Sequence, residues 1–176
     1  MRTVTDLLAQ YAEYHRDRRN IVSHFIGVPM IVFGAGVLLA RSVVTTAGPL
    51  TVTLGWIVFA FVAAWYLTRG NAVLGLAVTV VVGGLIGLAH AVADASVPVW
   101  LAWALGFFVV GWVIQFIGHW YEGKKPAFVD DIVGLLVGPM FVVAEAMFLL
   151  GWNKPLQAEI ERRVGPTVMR DLARIA

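Results

Sequence analysis

Ionisable side chains are scarce in this sequence, so the places where they gather stand out. His15 and His24 lie in "YAEYHRDRRNIVSHFIGVP", at residues 11–29, and His119 and Glu122 share "QFIGHWYEGKKPA" far downstream. His119 and Glu122 stand in an i, i+3 relation, which puts them on one face of a helix. His15 and His24 are nine residues apart, which one continuous helix would set on opposite sides. A break at residues 16–20 would let the chain fold back so that the two imidazoles meet. Neutral imidazoles with one carboxylate suit a non-haem Fe(II) centre that keeps positions open for oxygen and substrate. Zinc fits on ligand type alone. A single histidine at a membrane surface is ordinarily only a polar anchor; with three of the four on one side, a metal site stands level with that reading. The pattern carries no HExxH and no tight histidine-rich box.

The elements that must position these groups are apolar. Of the 176 residues 60% are hydrophobic and only 14% charged, well below the share of charge in soluble domains. Apolar blocks run over 21–40, 50–67, 72–93, 97–118 and 132–151, each close to the length that crosses a hydrocarbon core as a helix. The expectation is an all-α, polytopic membrane helix bundle forming one domain, with no internal repeat and no linker. With no cysteine, disulfides, thiolate metal sites and thiol nucleophiles are excluded. The net charge of +2 comes without a basic stripe interleaved with aromatics, which argues against nucleic acid as a partner. The polar first twenty residues predict no cleavable signal peptide. Ten arginines against three lysines, with much Val, Ala and Gly, suggest a bacterial inner-membrane protein.

Residues 3–19 read as a surface helix, with Thr3 and Asp6 at capping-box spacing and Val4, Leu7, Leu8, Tyr11 and Tyr14 forming an apolar side turned to the membrane. Asn20 is the expected N-cap of the first crossing, and Pro29 the expected kink within it. Arg2, Arg16, Arg18 and Arg19 place the N-terminus in the cytoplasm, and Arg69, Lys124 and Lys125 fall on the same side if 21–40, 50–67, 72–93 and 97–118 all cross. The fifth block, "IVGLLVGPMFVVAEAMFLLG", would strand a basic tail (Lys154, Arg162, Arg163, Arg170, Arg174) outside. A break or re-entrant turn at Gly138–Pro139 returns it to the cytoplasm, and 152–175 then forms an interfacial tail.

This topology sorts the polar candidates. His15, His24, His119 and Glu122 share the cytoplasmic end, whereas His90 lies about 27 Å away at about 1.5 Å per helical residue. Asn20 and Gln115, the latter one turn before His119, could each hydrogen-bond a liganding imidazole; capping and helix packing are their plain alternatives. Glu145 is the acid deepest in apolar sequence, a ligand, a proton-handling group or the partner of a base. Lys124 and Lys125 are topology charges that could also attract a substrate carboxylate. Glycines 83, 84, 87, 106 and 111 would permit close helix approach or leave room for an acyl chain.

Two stretches, "YHRDRRNIVSHFIGVPMIVF" and "WVIQFIGHWYEGKKPAF", with the late "FVVAEAMFLLG", resemble the 2-hydroxy-fatty-acid dioxygenase family of yeast-type phytosphingosine breakdown and fatty acid α-oxidation, over nearly the whole chain. The resemblance implies an Fe(II)-dependent, O₂-consuming membrane enzyme that shortens 2-hydroxy long-chain fatty acids by one carbon. Carried over, the family's motifs fall on His15, Asn20 and His24, then on Gln115, His119 and Glu122; Glu145 matches a late acidic position. A 2-hydroxy acid can chelate iron through hydroxyl and carboxylate. Its conversion to the next shorter acid plus CO₂ supplies the four electrons that reduce O₂, so no further reductant is needed. The competing readings are a small transporter or channel using Glu145 and His90 as relay groups, and a non-catalytic membrane scaffold. The sequence leaves an oligomer open.

Overall fold

The computed structural model describes residues 2–172, so Arg174 lies outside the described part. The first helix, α1 (Val4–Ala12), opens on the expected capping box, with Thr3 and Asp6 each accepting from the other's backbone N–H. Its apolar side meets protein rather than lipid. Val4, Leu7, Leu8 and Tyr11 are buried where α1 packs on α6 (Gly134–Leu149) and α7 (Lys154–Val164). The expected helix over 3–19 therefore stops early, and residues 13–17 form a tight connection.

The next helix, α2 (Arg18–Ala40), starts at Asp17 and not at Asn20. The Asp17 carboxylate accepts from the Arg19 N–H, which leaves Asn20 buried within the first turn. Pro29 stays inside a helix that continues past it. The block expected to cross over 50–67 is shorter than predicted. Val43–Ala47 (β1) and Leu50–Thr53 (β2) pair antiparallel around Gly48 and Pro49, and only Leu54–Leu67 (α3) is helical. The β-branched run "VVTTA" and the Thr53 side chain, which caps α3 at Trp56, account for this. Helices α4 (Ala72–His90) and α5 (Val97–Glu122) follow, and α2, α4 and α5 are each long and apolar enough to span a bilayer.

The central helix, α2, packs on α5 above all, and also on α4, α3 and α6. Small residues set the α2–α5 distance: a Cβ on Gly27 would lie 2.8 Å from the Gly111 carbonyl, and one on Gly34 would lie 2.6 Å from the Phe108 nitrogen. Of the glycines singled out in the sequence, Gly111 and Gly83 make close approaches, while Gly84 and Gly106 face open space. Exposed Val, Leu and Phe side chains line the outer faces of α4 and α5, as a lipid-facing surface requires.

The fifth apolar block also differs from expectation. Gly138–Pro139 does not break it; α6 runs through both, held by the buried Val137, Met140 and Phe141. The chain bends instead at residues 150–153, by 118°, where Gly151 takes φ of +86° and Asn153 φ of +46°. Helix α7 then ends at Gly165, well short of 175. The segment after the bend comes back to the N-terminal segment. Arg163 bonds Asp6, and Val168 pairs with the backbone of Arg16 and Arg18, so the N-terminal and C-terminal segments lie at one end of the bundle.

Candidate metal centre

The connection between α1 and α2 turns His15 back against His24. The His15 Nδ1 lies 2.7 Å from the Tyr11 carbonyl, and the His24 Nδ1 lies 2.8 Å from the Asn20 carbonyl. A carbonyl only accepts, so each Nδ1 carries the proton and each Nε2 is a bare lone pair. Yet the two Nε2 atoms face each other at 2.9 Å. Two acceptors in that position need a proton or a metal cation between them, and burial of both rings disfavours the charged imidazolium that the proton would make. Two nitrogens bound to one ion at about 2.1 Å each and at a right angle, as in octahedral coordination, stand about 3 Å apart, which matches. His119 completes the group, its ring 4.9 Å from His15 and 5.2 Å from His24, with the three candidate ligand atoms all within 4.8 Å of one another. The His119 Nδ1 is buried and has no protein partner.

All three rings are buried, and Tyr11 stacks flat on His15 at 4.1 Å while Phe141 leans on both. Burial, reinforced by the neighbouring His24 and His119, holds His15 far below the usual histidine range, so it stays neutral as a metal ligand must. The donor set therefore fits a divalent transition metal held by imidazole.

Glu122 does not join the three rings. Its carboxylate accepts from the Arg16 N–H at 3.0 Å, the Asp17 N–H at 2.7 Å and the Asn20 side-chain amide at 3.2 Å. It thus ties the end of α5 to the connection that carries His15. Asn20 supports His24 through its backbone carbonyl, while its side chain serves Glu122 and the Tyr14 carbonyl. Arg16 is buried beside them, giving its guanidinium to the Ala12, His15 and Gly165 carbonyls and standing 3.9 Å from Glu145. Glu145 is thereby the partner of a base. Arg170 closes the outside, with its guanidinium on the Glu122 carbonyl and its N–H on Asp17.

The other candidates lie apart from the rings. Lys124 donates to the Glu13 carbonyl and Lys125 pairs with Asp130, both at the surface. His90 is bound to Thr53 and the Ile86 carbonyl beside Gly55, next to the far end of α2. That end is about 24 Å from His24 at about 1.5 Å per residue. Gln115 makes no bond to an imidazole; both of its amide atoms are buried and unpartnered. Tyr11, Phe141 and Arg170 carry no chemical signature in the sequence, and only the stacking and strap contacts give them a part.

His24, His119 and Gln115 open onto a cavity of about 60 Å³, walled by apolar groups of α2, α5 and α6 such as Ile31, Val32, Trp112 and Leu135. A second, apolar cavity of about 150 Å³ lies farther along α2 from the histidines, lined by Gly36, Val58, Phe59 and Ile86 among others. Val32, Leu135 and Pro139 border both.

Residues 1–150 match the family described as Mpo1-like, 2-hydroxy-palmitic acid dioxygenase Mpo1-like. The chain belongs to this family. It is 32% identical over 157 residues to the 2-hydroxy-palmitic acid dioxygenase MPO1 of Saccharomyces cerevisiae, covering 88% of this chain and 85% of the yeast protein. No solved structure matches it. Membership in a dioxygenase family, together with a buried three-histidine group able to hold a metal, sets aside the transporter and scaffold readings. The family match ends at residue 150, before α7.

Proposed function

We propose that this protein is a membrane-bound Fe(II) dioxygenase that converts a 2-hydroxy long-chain fatty acid and O₂ to the acid one carbon shorter, CO₂ and water. The observation that carries the reading is the pair of bare Nε2 atoms at 2.9 Å in a buried, neutral, three-histidine group, in a chain whose family acts on such a substrate. His15, His24 and His119 are the proposed ligands. The iron, when bound, supplies the redox chemistry that couples O₂ to the substrate. The protein's own contributions are plain. Tyr11 and Phe141 wall the rings from water, and the Tyr11 and Asn20 carbonyls fix the tautomers. The small cavity takes the polar head and first carbons, being below the ~300 Å³ of ordinary ligand pockets. The acyl chain runs on past Val32 and Leu135 toward the second cavity. We place the histidine end in the cytoplasm, on the strength of its arginines.

The test is oxygen uptake by anaerobically purified, iron-loaded protein given 2-hydroxypalmitate, with mass-spectrometric detection of the shortened acid. Metal analysis of the alanine variants of His15, His24 and His119 should show iron lost, and that of His90→Ala should show it retained. No oxygen uptake, or full iron occupancy in all four variants, would overturn the proposal.

A further inference from the structure

Gln115 sits on α5 one turn before His119 and is 3% exposed. Neither its amide nitrogen nor its amide oxygen has a hydrogen-bond partner, although both are buried. Such a group is costly to keep, since an apolar side chain of the same size would pack without the penalty. The opposite helix is shaped around it. Gly27, one turn after His24, leaves the space, and a Cβ there would lie 2.8 Å from the Gln115 amide nitrogen. Gln115 is among the residues that line the cavity onto which His24 and His119 open. A donor and an acceptor, side by side and unsatisfied, thus belong to a residue in the wall of the proposed polar-head position.

We propose that Gln115 is the residue that recognises the 2-hydroxy acid head group; this rests on the functional reading above. A 2-hydroxy acid carries an accepting carboxylate and a donating hydroxyl on adjacent carbons. The Gln115 N–H donates to the carboxylate, and the Gln115 carbonyl accepts the hydroxyl proton. An unsubstituted fatty acid leaves that carbonyl unpaired, and a 2-oxo acid sets a second acceptor against it. Selectivity for the hydroxyl therefore comes from one neutral side chain, which leaves a buried polar atom unsatisfied whenever the wrong acid enters.

The test compares equilibrium binding of 2-hydroxypalmitate, palmitate and 2-oxopalmitate to the full chain in detergent, with and without iron, alongside the split between KM and kcat. Unmodified protein should favour 2-hydroxypalmitate over both others by about ten- to hundredfold. In Gln115→Leu and Gln115→Met that ratio should collapse to within about threefold, while the three histidines still retain iron. A merely structural Gln115 would weaken all ligands together and leave the ratio intact, and that result overturns the proposal. Equal binding of 2-hydroxypalmitate and 2-oxopalmitate to unmodified protein overturns it without any variant. If unmodified, iron-loaded protein neither turns over nor prefers 2-hydroxypalmitate, the functional reading falls and this inference with it. Turnover with the preference unchanged in both variants removes only the role of Gln115.

Discussion

Replacing Glu122 with glutamine tests whether this carboxylate builds the site or binds the metal. In the structure it accepts three hydrogen bonds, from the Arg16 and Asp17 N–H groups and the Asn20 amide, in buried surroundings. Glutamine keeps one accepting oxygen and turns an N–H toward at least one of those donors. In the better of its two orientations the oxygen keeps the Asp17 N–H and the Asn20 amide and leaves the Arg16 N–H unsatisfied, at about 1–3 kcal/mol. A domain stable by about 5–15 kcal/mol should survive this loss. Its Tm should fall by about 2–12 °C. Because the Arg16–Asp17 backbone carries His15, metal affinity should drop by about ten- to a hundredfold without vanishing, as is usual for groups that orient ligands. Thermal unfolding in detergent and competition against a chelator measure the two effects. Unchanged Tm and unchanged affinity would refute the argument. Abolished metal binding at unchanged Tm would instead make Glu122 a ligand.

Metal-free protein should lose stability in acid through His15. This ring is held neutral by burial when folded and titrates near pH 6.5 when unfolded. The unfolded state then binds the extra proton, so stability should be flat above about pH 6.5. Below that it should fall by up to about 1.4 kcal/mol per pH unit, until the folded ring itself protonates. Denaturant melts between about pH 5 and 8 check this, and a flat profile counts against the neutral cluster. Leu135 borders both cavities. Leu135→Trp should therefore raise KM for 2-hydroxypalmitate well above that for a short-chain 2-hydroxy acid, read by oxygen uptake; an equal change for both lengths would argue against a chain path at this wall.

The sequence was most informative where residue type alone limits the structure. Apolar block length made the membrane bundle legible, and a scarcity of ionisable groups made the convergence of His15, His24 and His119 legible. It was least informative where neighbours decide. Gly138–Pro139 looked like a break, yet buried packing carries α6 through it and the bend falls at Gly151 and Asn153. Asn20 looked like a cap, yet Asp17 takes that place because Arg19 and Arg170 also bond its carboxylate. Residues 50–53 looked like part of a crossing, but hydropathy does not distinguish an apolar β-strand from a helix turn. The i, i+3 spacing of His119 and Glu122 was right as geometry and incomplete as chemistry. What Glu122 faces depends on the Arg16–Asp17 connection, which lies across the fold.

That placement of Glu122 has a consequence for the charge at the centre. Three neutral imidazoles leave a divalent ion with its full charge, in a buried setting where charge is costly unless it is paired. The nearest acids are already engaged: Glu122 by backbone N–H groups, Asp17 by Arg19 and Arg170, Glu145 by Arg16. On the proposed function, the compensating anion is then the substrate's own carboxylate. A site with a protein carboxylate among its ligands would gain less from an anionic ligand. By tying up every local acid, the Arg16–Glu122–Arg170 cluster favours a substrate that brings its charge with it. Gln115, being neutral, can select the hydroxyl beside that carboxylate without competing for the ion.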